Sequence, residues 1–530
     1  MKRWKVAGAA LAAAGLLALV AATGMDPGRD DSLAEDAPWS PDASAVNRHA
    51  DPDHRATVQL PALASESPRP LALTRALLEQ AWQEGELQVA QPGSGRYAVA
   101  IEDRRFEPGG QWTVVGRVQT ALGAQSMVLT FGADAVFGVL PRPDGSLLQV
   151  TTSHGTTRVA AAGGILPPGS KSALASLSDY VVPDAGHART AGNLLPTRVF
   201  DRPQPKAMST VEIVVLGIYT DDLVELRGSA SAAETEVTSL FAQANQSHID
   251  SGTRVRLRLA GMRRVAIDPE LGNHGVLYAV TDNTVAGVDF PALRDELAAD
   301  LVAVVRPYRD THGSCGVAWL NGGGRSPQYV AERYGVSVSN IAPCGPHVLA
   351  HEIGHNLGSA HDRETQSING HLDFGAFQYS FGHRRDGLHA FATVMAYSSG
   401  QPRVGYFSNP GSMLCGAACG VENRADNVRS LNAMAPAVAA FRGPPGTLSI
   451  ADAEIDEPDP GSTRTLVFLV RLSGPAPAGG VSFDLAVTGG SALAGVDYLL
   501  PASNGGTIPE GHRETSVGIE IVGDAIIEPD

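Results

Sequence analysis

The rhythm of apolar and polar positions changes several times along the chain, and the changes divide it. Lys2, Arg3 and Lys5 precede an unbroken run of apolar and small residues, Val6 to Ala22, the pattern of a cleaved secretory leader over residues 1–22. Residues 23–70 are rich in Pro, Asp, Ser and Ala without apolar period and read as a disordered lead-in. Leu73, Leu77, Leu78 and Trp82 then fall at helical spacing, and Trp112–Val118 and Ser126–Phe131 alternate as strands do, so residues 71–188 read as a mainly β region. From residue 209 to 442 the pattern turns α/β. Val211–Tyr219 is almost continuously apolar, as a strand buried on both faces must be, and Leu301–Val305 repeats the pattern. Ala232–Asn245 reads as a helix, and Arg254–Ala260 alternates strictly, which lines its arginines on one face of a strand. Thr465–Leu472, Val481–Val487 and Thr515–Val522, with turns between, suggest a small β-sandwich over 447–530. Loose connectors occupy 189–208 and Gly443-Pro-Pro-Gly446 (443–446).

Composition narrows the function classes. At 530 residues, 43% hydrophobic and 18% charged, the chain is globular and long enough for several domains. Its formal net charge of −16 argues against nucleic acid as a partner. No stretch after the leader is apolar enough to span a membrane, so a secreted protein, expected to be a monomer, is the consistent reading. The four cysteines allow three disulfide pairings, and spacing favours Cys315 with Cys344 and Cys415 with Cys419.

One stretch carries chemistry: His351-Glu-Ile-Gly-His-Asn-Leu-Gly-Ser-Ala-His361-Asp362. Four residues apart on a helix, His351 and His355 project from one face and can share one zinc ion. Gly358 can adopt the positive φ that ends the helix, and the chain then returns His361 as a third ligand. Three protein ligands leave a fourth position for reaction, and Glu352 is placed to take the proton of an activated water. A second, separate signal is Thr393-Val-Met395-Ala-Tyr397.

Together these motifs resemble the metzincin metalloendopeptidases, in which such a methionine, here Met395, forms the floor beneath the zinc. Asp362 after the third histidine, Cys315-Gly-Val-Ala-Trp-Leu320, Phe407-Ser-Asn-Pro410 and Val214–Thr220 are similar to segments of bacterial reprolysin-like (adamalysin-type) enzymes, with a further likeness to the peptidyl-Asp metalloendopeptidase group. The resemblance implies an α/β catalytic domain over 209–442, built on a mixed twisted sheet plus an active-site helix, with a pro-region before it. It also implies proteins as substrates, cleavage before Asp or Glu, and an exposed edge strand (Gly316, Val317, Ala318, Trp319, Leu320) that binds substrate main chain. Arg403 is the candidate cation for an acidic side chain, and Tyr397 the candidate donor to the transition state. No cysteine precedes Cys315, so any latency must come from occlusion or from a carboxylate on the metal, with cleavage between Arg189 and Lys206. A surface adhesin with a vestigial protease domain is the alternative, and it predicts loss of Glu352 or a ligand.

The tail resembles a Calx-beta domain through Asp456-Glu457, Ala494–Tyr498 and Val522-Gly-Asp524 onward. That likeness makes Glu457, Asp497, Asp524 and Glu528 candidate calcium ligands, although Gly489 stands where the family often has an acid.

Overall fold

The computed structural model describes residues 3–6, 55–62, 68–162 (save 94 and 108), 179–183, 210–442 (save 324–329, 342, 367–373 and 399) and most of 448–524. Most of the expected leader and lead-in, both connectors and Glu528 lie outside the described residues.

A six-stranded sheet organises the α/β region, in the order Tyr180–Val181, Gly316–Trp319, Val336–Ile341, Leu301–Pro307, Val211–Thr220, Val255–Val265. Neighbours run parallel except Gly316–Trp319, which is antiparallel to Val336–Ile341. Ile213, Val215, Leu216 and Ile218 are buried on both faces of a central strand, as its continuous apolar run requires. In the edge strand Val255–Val265 the apolar set faces the core, while Arg258 turns outward to Glu212 at 2.6 Å.

The long helix Ala230–Ser251 crosses this sheet. Ser229 caps it, its Oγ accepting from the Ala232 N–H at 3.0 Å, and Gly252 ends it at φ 78°. Ala233, Val237, Leu240, Phe241 and Ala244 pack on the sheet. Its other side is covered by a second sheet of nine strands, running Thr57–Gln59, Glu86–Gln91, Gly95–Phe106, Trp112–Thr120, Gly123–Phe131, Val136–Pro141, Leu147–Ser153, Thr156–Ala161, Arg69–Pro70. Arg75–Glu84 is the expected helix, burying Leu78 and Ala81. The disordered lead-in needs correction: Ala56, Val58 and Leu60 are buried, and Thr57–Gln59 is part of the sheet, so this domain begins well before Leu71. Three alternating apolar residues among prolines and acids are too short a pattern to register as a strand.

Beyond residue 447 a four-stranded antiparallel sheet (Leu448–Ile450, Thr463–Leu472, Glu514–Val522, Tyr498–Leu499) accompanies a two-stranded one (Val481–Asp484 with Gly505–Ile508). Residues 3–6 pair antiparallel with Ala453–Asp456. Among the described residues the donors grouped closely enough to share an ion do not include Glu457, Asp497 or Asp524. Asp497 is buried and closes a turn by accepting from the Leu493 N–H at 2.7 Å, and Glu457 accepts from the Asp524 N–H.

Candidate metal centre

The helix Val348–Asn356 runs beneath the sheet edge with all nine residues buried. His351 and His355 lie one turn apart, their Nε2 atoms 3.1 Å from each other. Gly358, at φ 77°, reverses the chain; a Cβ there would come 2.6 Å from Ala376 and 3.0 Å from the Asn321 carbonyl. The following strand Ala360–Asp362 returns His361, whose Nε2 is 3.1 Å from that of His355. Donors at about 2.0–2.1 Å from a tetrahedral zinc ion stand roughly 3.3 Å apart, so the spacing fits. The outer face of each ring fixes its orientation. His351 Nδ1 donates to the Val394 carbonyl at 2.8 Å, and His355 Nδ1 to the Ser359 carbonyl at 2.7 Å. Gln366 Nε2 lies 3.2 Å from His361 Nδ1, while its Oε1 accepts from the Tyr180 hydroxyl at 2.8 Å. The Nε2 lone pairs of His351 and His355 therefore face each other and His361 Nε2 in a dry pocket, an arrangement suited to a shared cation. Burial, above all, pushes the pKa values of His351 and His355 down, which keeps both rings neutral and able to ligate.

A fourth side chain joins them. Asp179, 2% exposed, places Oδ1 2.6 Å from His361 Nε2 and 3.8 Å from His355 Nε2, and Oδ2 3.5 Å from His351 Nε2. Asp179, His351, His355 and His361 form a buried group able to hold one metal ion. No spacing rule ties residue 179 to the histidine motif, so the sequence reading did not find it.

Glu352 is fully buried, and neither carboxylate oxygen has a hydrogen-bond partner among the described residues. Burial first, then the charge of Asp179, raises its pKa well above the usual carboxylate range. The edge strand passes directly over it: a Cβ at Gly316 would lie 2.2 Å from Glu352 Oε1, so no other residue fits there without displacing the carboxylate. Asn356, also missed by the sequence reading, ties helix to sheet by donating from Nδ2 to the carbonyls of Trp319, Tyr334 and Val336. Met395 lies against the helix at its bare point, where a Cβ on Gly354 would come 2.5 Å from the sulfur. Its turn thus forms a floor and, through the Val394 carbonyl, orients His351.

Tyr397 sets its ring, tilted, 4.4 Å from that of His361, and its hydroxyl donates to Asp179; burial raises its pKa well above the usual tyrosine value. Its N–H donates to Asp362 Oδ2, which also accepts from the Thr365 hydroxyl, so the residue after the third ligand clamps the two loops together. Beyond the turn, Arg403 pairs with Ala392. The stem of Arg403 reaches the surface, but its three guanidinium nitrogens are inaccessible and have no hydrogen-bond partner among the described residues. Burial lowers its pKa to about 10. His347 beside it is pushed down to about 4, by burial and then by the Arg403 charge.

The edge strand itself departs from expectation. Gly316–Trp319 is buried rather than exposed, because Tyr180–Val181 lies alongside it in parallel. Both expected disulfides are present, and Cys315–Cys344 joins the start of that strand to the loop before the helix.

Residues 210–425 match the reprolysin-like division of metallopeptidase family M12B. A peptidyl-Asp metalloendopeptidase of Pseudomonas aeruginosa is 31% identical over 267 residues, 46% of this chain and 42% of that protein. Proteins of the same name from Stenotrophomonas maltophilia and Xanthomonas campestris are each 28% identical, over 45% and 47% of this chain and 55% and 58% of their own lengths. The chain thus spans about half the length of these relatives. Metalloproteinase-II of Bacteroides fragilis aligns at a TM-score of 0.33 and 13% identity over 55% of this chain and 85% of that one, too distant to add anything.

Proposed function

We infer, from the premise that residues 210–425 are a reprolysin-like metallopeptidase domain, that the chain is a secreted zinc metalloendopeptidase cutting before acidic residues. His351, His355 and His361 would hold the zinc, which supplies a Lewis acid that polarises a peptide carbonyl and lowers the pKa of water to about 7. Glu352 supplies the base. Its unpartnered, buried carboxylate is costly unless it accepts a proton from a reacting water, and its raised pKa suits returning that proton to the leaving amine. The Tyr397 hydroxyl, once free of Asp179, is placed to donate to the developing oxyanion. Gly316–Leu320, once uncovered, would take substrate main chain as an added strand, so extended internal segments are the substrate. No helix of the described residues is long and apolar enough to cross a membrane, which agrees with secretion.

The acidic preference rests on one observation: three buried guanidinium nitrogens of Arg403 without a partner. An unpaired buried cation is expensive, and a substrate carboxylate gripped by two of those nitrogens relieves it. The names of the relatives agree with this reading. Peptide-library cleavage by the processed enzyme tests it. Wild type should cut before Asp and Glu, and Arg403→Ala should lose that preference while retaining cuts elsewhere. Cuts mainly before Leu or Phe in wild type would refute it.

A further inference from the structure

Two-residue turns between paired strands favour Asn, Asp and Gly and lie in solvent. The turn joining Trp112–Thr120 to Gly123–Phe131 is Ala121-Leu122 instead, and Leu122 is buried. It enters a cluster with Phe391, Val404, Tyr406, Ala417 and the Cys415–Cys419 disulfide, all within the metallopeptidase region. The turn is built to deliver that side chain. The Thr120 hydroxyl accepts from the Leu122 N–H at 3.1 Å, and the Ala121 N–H donates to the Pro143 carbonyl at 2.9 Å. Gly123, at φ 89°, passes so near the disulfide loop that a Cβ there would come 2.2 Å from the Leu414 carbonyl oxygen. Beside it the Tyr406 hydroxyl donates to the Ala124 carbonyl. The receiving segment has two faces. Val404 and Tyr406 meet Leu122, whereas Gly405 between them faces His347, whose ring a Cβ on Gly405 would approach to 3.1 Å. Arg403 acts by its charge on that same histidine, so the wall proposed to read an acidic side chain is backed by the Leu122 cluster.

We propose that the Val404 and Tyr406 face, with the Cys415–Cys419 loop, is a docking site for the Ala121-Leu122 turn, and that it keeps the nine-stranded domain bound as a separate piece once the connector 189–208 is cut. Cutting and separation are then two steps. An aliphatic anchor in a pocket with a polar rim is an interface that can outlast a covalent tether. That rim is present. Arg117 and Ser126 donate to Asp250 at 3.0 and 2.5 Å, and Asp134 accepts from the Ser229 and Ser231 hydroxyls at 2.9 and 2.8 Å. The docking site lies outside the metal centre, so binding alone reports on it, whatever the chain hydrolyses.

The test uses the full chain carrying Glu352→Gln, with a recognition sequence for an added site-specific protease placed within 189–208. After cutting, the two pieces should elute together in size-exclusion chromatography at micromolar concentration. Leu122→Ala should weaken their association, measured by dilution, about 30-fold. Should that variant melt without cooperativity before cutting, Tyr406→Phe decides instead: it removes only the hydroxyl on Ala124 and should weaken the association about 10-fold. Parent pieces that part at once, or pieces that hold equally well in the deciding variant, overturn the docking site. Elution of the C-terminal piece as a pair of its own copies overturns the turn as its occupant.

Discussion

Two helices are buried over most of their length, by different chemistry. In Val348–Asn356 its own Leu349 and Ile353 pack with Met395 and Phe407, and its polar side chains are confined to the histidines, Glu352 and Asn356. Ala230–Ser251 has an equally apolar side toward its own sheet, but Thr235, Ser239, Gln243, Gln246 and Ser247 are also buried. On the side of the nine-stranded domain the meeting is close: a Cβ on Gly132 would come 2.0 Å from Thr235 Oγ1, and Arg105 reaches Gln246 at 3.0 Å. A polar helix face can return to water without exposing a sticky surface, whereas an apolar one cannot. On the proposed reading, the first cover is permanent and the second belongs to a pro-region that is removed.

The sharpest way to probe the permanent side is Glu352→Gln. Turnover of processed enzyme should fall about 10²–10⁴-fold, with bound metal and melting temperature unchanged. Loss of metal instead would mean the carboxylate is structural. Next in size, Ile353→Ala removes a fully buried side chain and should cost about 2–5 kcal/mol in denaturant unfolding, equally in cleaved and uncleaved protein. An effect confined to the uncleaved form would break the comparison.

Acid should act on the long helix. His248, fully buried against Phe407 and bonded to Thr253, has its pKa lowered to about 3, by burial and then by Arg256. A depressed folded pKa means stability present above the ordinary value of about 6.5 and lost as pH falls toward 3. Melting temperatures measured from pH 7 to 4 should drop, and His248→Gln should flatten the drop, with His347 contributing in the same sense. The smallest effect belongs to the removable side. Arg117→Ala loses a part-exposed pair with Asp250 and should cost about 1 kcal/mol in the uncleaved chain and nothing once the domain has gone.

What the sequence disclosed follows from how local each feature is. The ligand triad, Glu352 and the helix end at Gly358 sit within eleven residues of chain, where helical periodicity alone determines direction. The buried strands declared themselves by continuous apolar runs. Asp179 did not, because its meaning depends on a parallel pairing with a strand more than a hundred residues away. Gly316 was read as one member of an edge strand, while the physical demand on it, a missing Cβ over Glu352, appears only when the two segments are superposed. The lead-in was misread for a related reason: Thr57–Gln59 is held by its neighbour Glu86–Gln91 rather than by its own pattern.

The position of Asp179 ahead of the histidines has a consequence in time. A ribosome delivers the chain from its N-terminus, at about 5–20 residues per second, and domains fold in that order. Asp179 is therefore made before His351, His355 and His361 exist, so the carboxylate is already present when the three rings that come to surround it fold into place.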